Sequence, residues 1–346
     1  MQKKSEKILW GMLNSLRVSF GEELSQISSA ALADRGSSPG GAIILEGGMH
    51  RILSPLLQKI PEDKIVLNTP VHKITLDPCP EYHKPVKVIT CDNKIFEADY
   101  VIVTVPLGVL KKRADDMFEG VLSKEQSNAI KNIGLGKLNH VYLEYAHPWW
   151  IPGMPSMSLA WGMEELQLSA EWTKGIGFIH EVHGSKHLLA VEIAGPEAEL
   201  IEGVAEEEVA IQITRFLRKF TGDTSIPYPT NIVVTRWSCD PFFQGATVNM
   251  GVNTTPGMFK DLGGATCDIY RGPPVPPIIF AGDGTIPKYY GTMEGARRSG
   301  LRAANKIIAS TKIKCEEEFR EREEDRRKEE EEKCESSKEE AQQSCC

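Results

Sequence analysis

Apolar residues recur at helical spacing through the first 33 positions. Ile8, Leu9, Met12, Leu13 and Leu16 share one face and predict an amphipathic helix. The Gly-, Ser- and Pro-rich stretch Arg35–Gly41 breaks that pattern. Ala42–Leu45 is a short strand candidate, Gly47-Gly48 a tight turn, and His50–Lys59 is helical again. Lys64–Leu67 and Val71–Thr75 alternate and are rich in β-branched residues, which predicts two strands. Val86–Thr90 and Lys94–Phe96 flank a Cys91-Asp92-Asn93 turn and predict a hairpin. Asp99–Val105 is a continuous apolar run ending at Pro106, the pattern of a strand buried on both faces of a parallel sheet.

Further along, the pattern predicts a helix over 123–133 and strands near 138–145, 156–161, 176–183 and 187–193. Residues 205–220 form an amphipathic helix with Val209, Ile213, Phe216 and Leu217 inward. Ile232–Thr235 is a strand, and 238–277 is loop-rich, with Pro273, Pro274, Pro276 and Pro277 near its end. Ile278–Ala281 is a buried strand running into Gly282–Thr285, and Gly291–Ser310 is a helix. No segment repeats.

At 346 residues, 41% hydrophobic and 25% charged, the chain can bury a large core in about two domains. The longest apolar run, Tyr100–Leu110, has eleven residues. A spanning helix needs about 20. Met1–Trp10 lacks a signal-like apolar core. The segment from Lys314 to Cys346 holds fourteen acidic and eight basic side chains, so it carries −6 of the net charge of −8. It reads as a solvated helix or disorder, and the near-neutral remainder offers no footprint for nucleic acid. The eight cysteines form no CxxC pair and no zinc spacing, which places the chain in a reducing compartment.

Several constellations carry bland readings. His180, His183 and His187 lie on a strand–turn–strand with Gly184-Ser185 at the turn, and His180 and His183 point to opposite faces. They read as loop histidines, and no metal site is expected. Glu206-Glu207-Glu208 is a solvated helix start. Cys345-Cys346 lacks the polybasic neighbour of a lipidated end, and no Ser-Lys-Leu closes the chain, so a cytoplasmic location is expected, with the peroxisome as the alternative.

The segment from Ile278 to Ile308 points to chemistry. A buried strand ends in Ala281-Gly282-Asp283-Gly284, and Gly291–Ala296 opens a helix whose unpaired N–H groups favour an electron-rich ligand. On spacing alone an ordinary, tightly packed strand–loop–helix fits equally well.

The text PIIFAGDGTIPKYYGTMEGARRSGLRAANKII resembles the C-terminal FAD motif of the flavin-containing amine oxidases, a family that includes polyamine oxidases, monoamine oxidases and histone-lysine demethylases. GGAIILEGGMHRILSPLLQKIPEDKIVLNTPVHKI, ADYVIVTVPLGVLKK, IGLGKLNHVYLEYAHPWW and TRWSCDPFFQGA follow the family order, so that most of residues 8–310 are similar to it. VTVPLGVLK, YLEYAHPWW and RWSCDP most resemble the polyamine oxidase branch. Neither the long helical insertion nor the chromatin-binding modules expected of a demethylase are seen.

That resemblance implies an α/β fold: an FAD-binding half with a partly parallel sheet (36–107 and 272–312) and a substrate domain with a mixed sheet and helices (1–35 and 108–271). It implies noncovalent FAD, because Ala246 stands where monoamine oxidases carry the attachment thiol. Val71 would meet the adenine end through its backbone, and Thr104, Val105 and Pro106 would lie beside the cofactor. Gly282 and Gly291 would flank it closely. Asp283 takes the place of a family glutamate, and the Met293 N–H would face the flavin pyrimidine oxygen. Trp237 would pack near the flavin. Thr247 and Thr292 occupy the registers of the aromatic pair that frames the substrate.

Two departures bear on function. No GxGxxG follows a first strand, so the pyrophosphate-binding βαβ unit is missing from the sequence. Either this sequence is truncated, or another chain supplies that unit, or the protein no longer binds FAD. His140 also aligns with the family lysine that holds a water near flavin N5. Either it holds that water or it is a half-buried strand histidine without a catalytic role. The implied partners are a small polyamine-type amine and oxygen, with hydrogen peroxide released. The alternative is a non-catalytic paralogue acting as a binding or structural protein.

Overall fold

Alternation between buried and half-buried positions runs cleanly along the strands from residue 138 onward, and they build the largest sheet. The computed structural model describes residues 2–30, 45, 47–77, 84–153, 156–160, 171–264, 276–311 and 320. In chain order come helices α1 (Gln2–Phe20) and α2 (His50–Leu57), then strands β1 (Val71–Leu76), β2 (Val86–Thr90), β3 (Ile95–Ala98) and β4 (Val101–Val103). Helices α3 (Leu107–Met117) and α4 (Lys124–Asn132) precede strands β5 (Gly134–Gly136), β6 (Leu138–Glu144), β7 (Ile176–Glu181) and β8 (Leu188–Ala194). Helices α5 (Pro196–Leu200) and α6 (Glu206–Thr221), strands β9 (Asn231–Val234) and β10 (Thr247–Asn249), helix α7 (Pro256–Leu262), strand β11 (Ile278–Phe280) and helix α8 (293–311) complete the order.

The large sheet has the order β7-β8-β6-β9. Every pairing in it is antiparallel, which corrects the expected mixed sheet. Its strands are joined by short returns or lie beside strands of opposite direction, so no crossover helix is needed. Asn139, Val141 and Leu143 of β6 point into one core with Ile176, Ile179, Val191 and Ile193. Helix α6 closes that core with Val209, Ile213, Phe216 and Leu217, as its periodicity predicts. A second core gathers β1, β4, α3, α4, α7 and β11 around Leu107, Leu110, Ile133, Phe259 and Phe280. Helix α4 starts on a reciprocal cap in which Ser123 Oγ accepts from the Gln126 N–H and Gln126 Oε1 accepts from the Ser123 N–H.

The parallel pair is present: β4 and β11 run side by side in register, Val101 opposite Ile278 and Val103 opposite Phe280. Burial on both faces is not borne out, because Ile102 is exposed. Among the described residues this sheet has two strands, so no neighbour covers the outer side of β4. The strand expected at Lys64–Leu67 is instead a 3-10 turn at Glu62–Lys64 followed by extended chain without a pairing partner, with Leu67 75% exposed. Of the strand expected at 156–161, the described part forms a single bridge, Met157 with Ile179. The loop-rich stretch contains β10 and α7, and α3 follows Pro106 where no element was predicted. The candidate strand Ala42–Leu45 lies, apart from Leu45, outside the described residues, as does almost all of the charged tail.

Helix α1 departs most from its sequence pattern. It ends at Phe20, well short of 33, and Ile8, Leu9, Met12 and Leu16 are all exposed. The buried side holds Gly11, Arg17, Val18 and Phe20, with Asn14 and Ser15 half-buried among them. Asn14 Nδ2 donates to the carbonyls of Ile176 (2.6 Å) and Lys174 (3.2 Å), and Ser15 Oγ donates to that of Gly177 (3.2 Å). These carbonyls belong to β7 and the turn before it, at the edge of the sheet. Arg17 pairs with Glu197 and, at 2.5 Å, with Glu23. Satisfying an open strand edge outweighs burying the leucines, because unpaired backbone groups are costly to shield. Close approach depends on Gly177, where an added Cβ would collide with Val18 Cγ2. Gly177→Ala is expected to lower stability by about 1–3 kcal/mol through overpacking. A urea midpoint shift at unchanged slope checks it.

Candidate active site

Two parallel strands end side by side, and a crevice opens beyond their C-terminal ends, the usual ligand position in such sheets. The Ala281 N–H donates to the Val103 carbonyl (2.9 Å), which carries the register one step past β11. Beyond it, Thr104, Val105 and Pro106 face Gly282 and Asp283 across a cavity of about 350 Å³, closed by Leu135, Val248 and Ala296. That volume is at the low end of small-molecule sites, about 300–1,000 Å³. Burial pushes the Asp283 carboxyl up, against a pull from its own and the Gly284 N–H. Arg302 of α8 fastens the crevice floor, donating to the Phe280 carbonyl (2.9 Å) and the Thr285 carbonyl (2.5 Å). Ser299 Oγ accepts from the Gly282 N–H (2.8 Å).

Helix α8 starts at the mouth. Thr292 caps it: Thr292 Oγ1 accepts from the Gly295 N–H (3.1 Å) and donates to the Tyr289 carbonyl (2.5 Å). Among the described residues, no acceptor takes the N–H groups of Met293 and Glu294, so the positive end of the helix is open to an anion. Gly291 (φ +64°) makes this turn possible, since a Cβ there would lie 2.6 Å from the Val248 carbonyl oxygen and 3.0 Å from Thr247 Oγ1. Thr247 and the Gly291–Met293 turn are thereby brought together, although Thr292 already uses its hydroxyl inside the turn. The expected contacts at Thr104, Val105, Pro106, Gly282 and Asp283 line one cavity, whereas Val71, at the head of β1, does not line it.

The third part is the half-buried face of the large sheet. His140 of β6 lies directly opposite Glu192 of β8, and Glu192 Oε1 is 2.9 Å from His180 Nε2 of β7. His140 stacks on Tyr142, with ring centroids 5.9 Å apart. Burial pushes the His140 imidazole down, and His180 adds to this while Glu192 opposes it. Burial therefore favours the neutral imidazole at His140. A buried network fixes this strand against the next segment. Glu202 accepts from Asn139 Nδ2 (2.7 Å), the Ser238 N–H (2.9 Å) and the Cys239 N–H (2.7 Å). Asn139 Oδ1 accepts from the Trp237 N–H (3.2 Å) and from Thr235 Oγ1 (2.9 Å). Thr235 Oγ1 in turn accepts from the His140 N–H (2.8 Å). Trp237 and His140 thus share one scaffold, and Trp237 packs edge-on against Phe243 (5.1 Å). Sequence reasoning missed Glu202, Asn139 and Glu192. The strand alternation that turns Asn139 inward was its available signal, and Glu202 had none.

A crevice at the ends of parallel strands, with a helix N-terminus at its mouth, defines a nucleotide-cofactor-binding α/β protein. The sequence model described as "Flavin containing amine oxidoreductase" matches residues 7–308, and the chain belongs to this family. It is 30% identical over 327 residues to the human peroxisomal N(1)-acetyl-spermine/spermidine oxidase, covering 89% of this chain and 64% of that protein. It is 26% identical to probable polyamine oxidase 5 of Arabidopsis thaliana, covering 89% and 63%. The fold is shared with a wild-type putrescine oxidase bound to putrescine, at a TM-score of 0.55, 18% identity, and coverage of 76% and 53%. The chain therefore spans between half and two thirds of the length of these proteins. Its family makes FAD the cofactor. Among the described residues, no cysteine lines the crevice. No helix among the described residues is long and apolar enough to cross a membrane.

Burial pushes the Glu202 carboxyl up, but the hydrogen bonds from Cys239, Asn139 and Ser238 bring it below its usual 4.5. A depressed folded value contributes stability that is full above the unfolded value and is lost as pH falls through the folded one. Glu202→Gln replaces one acceptor by a donor facing either the Ser238 or the Cys239 N–H group. It is expected to cost about 1–3 kcal/mol at pH 7. Thermal melts from pH 7 downward should show the two proteins converging below pH 4.5.

Proposed function

We propose that this chain carries the substrate face and most of the flavin-contacting turns of an oxidase acting on a polyamine-type amine. The observation that supports it most is the open Met293–Glu294 helix start beside the Asp283 crevice, in a chain whose family match runs through both. Bound FAD supplies the electron-accepting chemistry that turns an amine into an imine, with oxygen consumed and hydrogen peroxide released. Thr104, Val105, Pro106, Gly282, Asp283 and the Gly291 turn would hold its body, and the Val71 backbone its adenine end. The open Met293 N–H at the helix start would stabilise negative charge on it. Trp237 would pack near it, and Thr247 and Thr292 would border the amine.

His140 holds a water at the reacting face. Its neutral imidazole, which burial favours, offers one donor and one acceptor nitrogen, whereas the lysine of the family pattern would offer donors alone. His140→Lys is expected to speed flavin reoxidation by oxygen in stopped-flow absorbance. An unchanged or slower rate counts against the placement.

A second reading, a non-catalytic binding protein, is favoured by His140 standing where the family pattern has a lysine. Charge-assisted hydrogen bonds to a pyrophosphate are worth roughly 1.5–3 kcal/mol each, and losing two or three weakens binding by on the order of 3–9 kcal/mol. The 346-residue chain expressed alone is expected to purify without stoichiometric FAD. Joining a family-type N-terminal βαβ unit in frame should give a yellow protein that makes peroxide with an amine. A yellow protein reduced by no amine would favour the binding reading.

A further inference from the structure

We propose that the lysine-lined cavity adjoining the cofactor crevice is a second binding site, for the phosphate group of a small, hydroxyl-bearing phosphomonoester. This goes beyond the oxidase reading and holds whether or not the chain carries flavin.

Four lysines from three stretches of chain converge there. Lys111 and Lys112 of α3, Lys131 near the end of α4, and Lys137 between β5 and β6 line a cavity of about 490 Å³. That volume suits a small molecule. Two carboxylates share the lining, Glu22 and Glu199. Glu199 is paired with Lys137, and Glu22 Oε1 accepts from the Glu23 N–H (3.0 Å). Among the described residues no carboxylate is paired with Lys111, Lys112 or Lys131. Three positive charges therefore meet one acid, in a chain whose net charge is −8.

The helix ends are arranged to keep those charges in place. Lys111 Nζ donates to the Lys131 carbonyl (2.8 Å), and Thr254 Oγ1 donates to the Asn132 carbonyl (2.7 Å). The last two carbonyls of α4 are thereby taken, so the negative end of that helix is covered where the lysines gather. Holding the Lys111 head beforehand removes part of the entropy cost of binding. Partial burial pushes the Lys111 ammonium down, with no carboxylate to oppose it. An incoming anion supplies that opposition.

The donors select the ligand class. An ammonium is a compact charge with three donors, and three of them around one space suit a tetrahedral dianion better than a planar, singly charged carboxylate. Gln244 also lines the cavity, and its Oε1 is buried without a hydrogen-bond partner. A buried, unpaired acceptor is costly, and a hydroxyl on the ligand relieves it. Gly108, Leu135 and Gly245 line both this cavity and the crevice, so they form the wall between the two. A Cβ at Gly108 would lie 2.5 Å from the Gln244 carbonyl oxygen, which leaves that wall one backbone thick.

The test uses the full chain with glycerol 3-phosphate, inorganic phosphate and glycerol as probes, followed by calorimetry and amide NMR at an ionic strength fixed with chloride. Glycerol 3-phosphate is expected to saturate a single site, to shift the Gly108 and Gly245 amides, and to bind more tightly than inorganic phosphate, while glycerol does not bind. Lys112→Met and Lys131→Met should each weaken it roughly tenfold, and Lys131→Arg should restore most of the affinity. Gln244→Asn, which suits the left-handed backbone at that position (φ +55°), should remove the advantage over inorganic phosphate. Amide spectra unchanged away from the cavity show that the variants are folded. Binding that survives both methionine variants, as an anion at the Met293 helix start would, overturns the inference. So does a response that never saturates, and inorganic phosphate binding as tightly as the ester overturns the assigned ligand class.

Discussion

The buried carboxylate of Glu202 organises the site end of this molecule. Three N–H donors from two separate stretches of chain converge on it, and Asn139 passes the same constraint on to Thr235 and Trp237. The net result is that β6 and the segment after β9 cannot slide against one another. A one-residue slip would turn His140 into the core and Asn139 out of it, because side chains alternate along a strand. The position of His140 on the half-buried face is therefore fixed from behind the sheet by buried polar atoms. Such a network is stabilising only while every member is satisfied.

At the other end, the restraint is backbone shape. The parallel pair β4–β11 is short, and its crevice depends on Arg302 and Ser299 holding the turn after β11 and on Gly291 letting the next turn pass close to β10. The first restraint is charge-assisted hydrogen bonding to carbonyls, and the second is the absence of a side chain. Both leave the Met293 N–H outward. Among the described residues the outer side of β4 is bare by contrast, and the apolar residues of α2 and of 60–67 are exposed with it.

Much of this was legible in the sequence. The β1 strand, the β2–β3 hairpin, helix α4, the inward stripe of α6 and the parallel character of Asp99–Val105 follow from pattern alone, because each is decided by local periodicity. The family resemblance supplied the crevice residues, and the structure gathers five of them on one cavity. What failed to show was decided by distant partners. Lys64–Leu67 has the pattern of a strand and no neighbour to pair with. Ile8, Leu9, Met12 and Leu16 have the pattern of a buried face and lost to the needs of a strand edge 160 residues away in sequence. Glu192 and Glu202 look alike as letters, and only the register of β8 and the loop around Ser238 separates a cavity carboxylate from a buried one.

The same helix has a consequence for the order in which the chain comes together. α1 leaves the ribosome before the strand edge it covers, and about 155 residues separate Phe20 from Ile176. At synthesis rates of about 5–20 residues per second, the cover exists for roughly 8–30 s before its sheet does. During that interval its leucines and its polar stripe are both unpartnered, and the helix is marginal by itself. Once β7 is made, the edge meets a segment of its own chain at a far higher local concentration than any neighbouring molecule can reach. Self-association through that edge is thus decided by timing within one polypeptide, and removing α1 would convert an intramolecular closure into an invitation between chains.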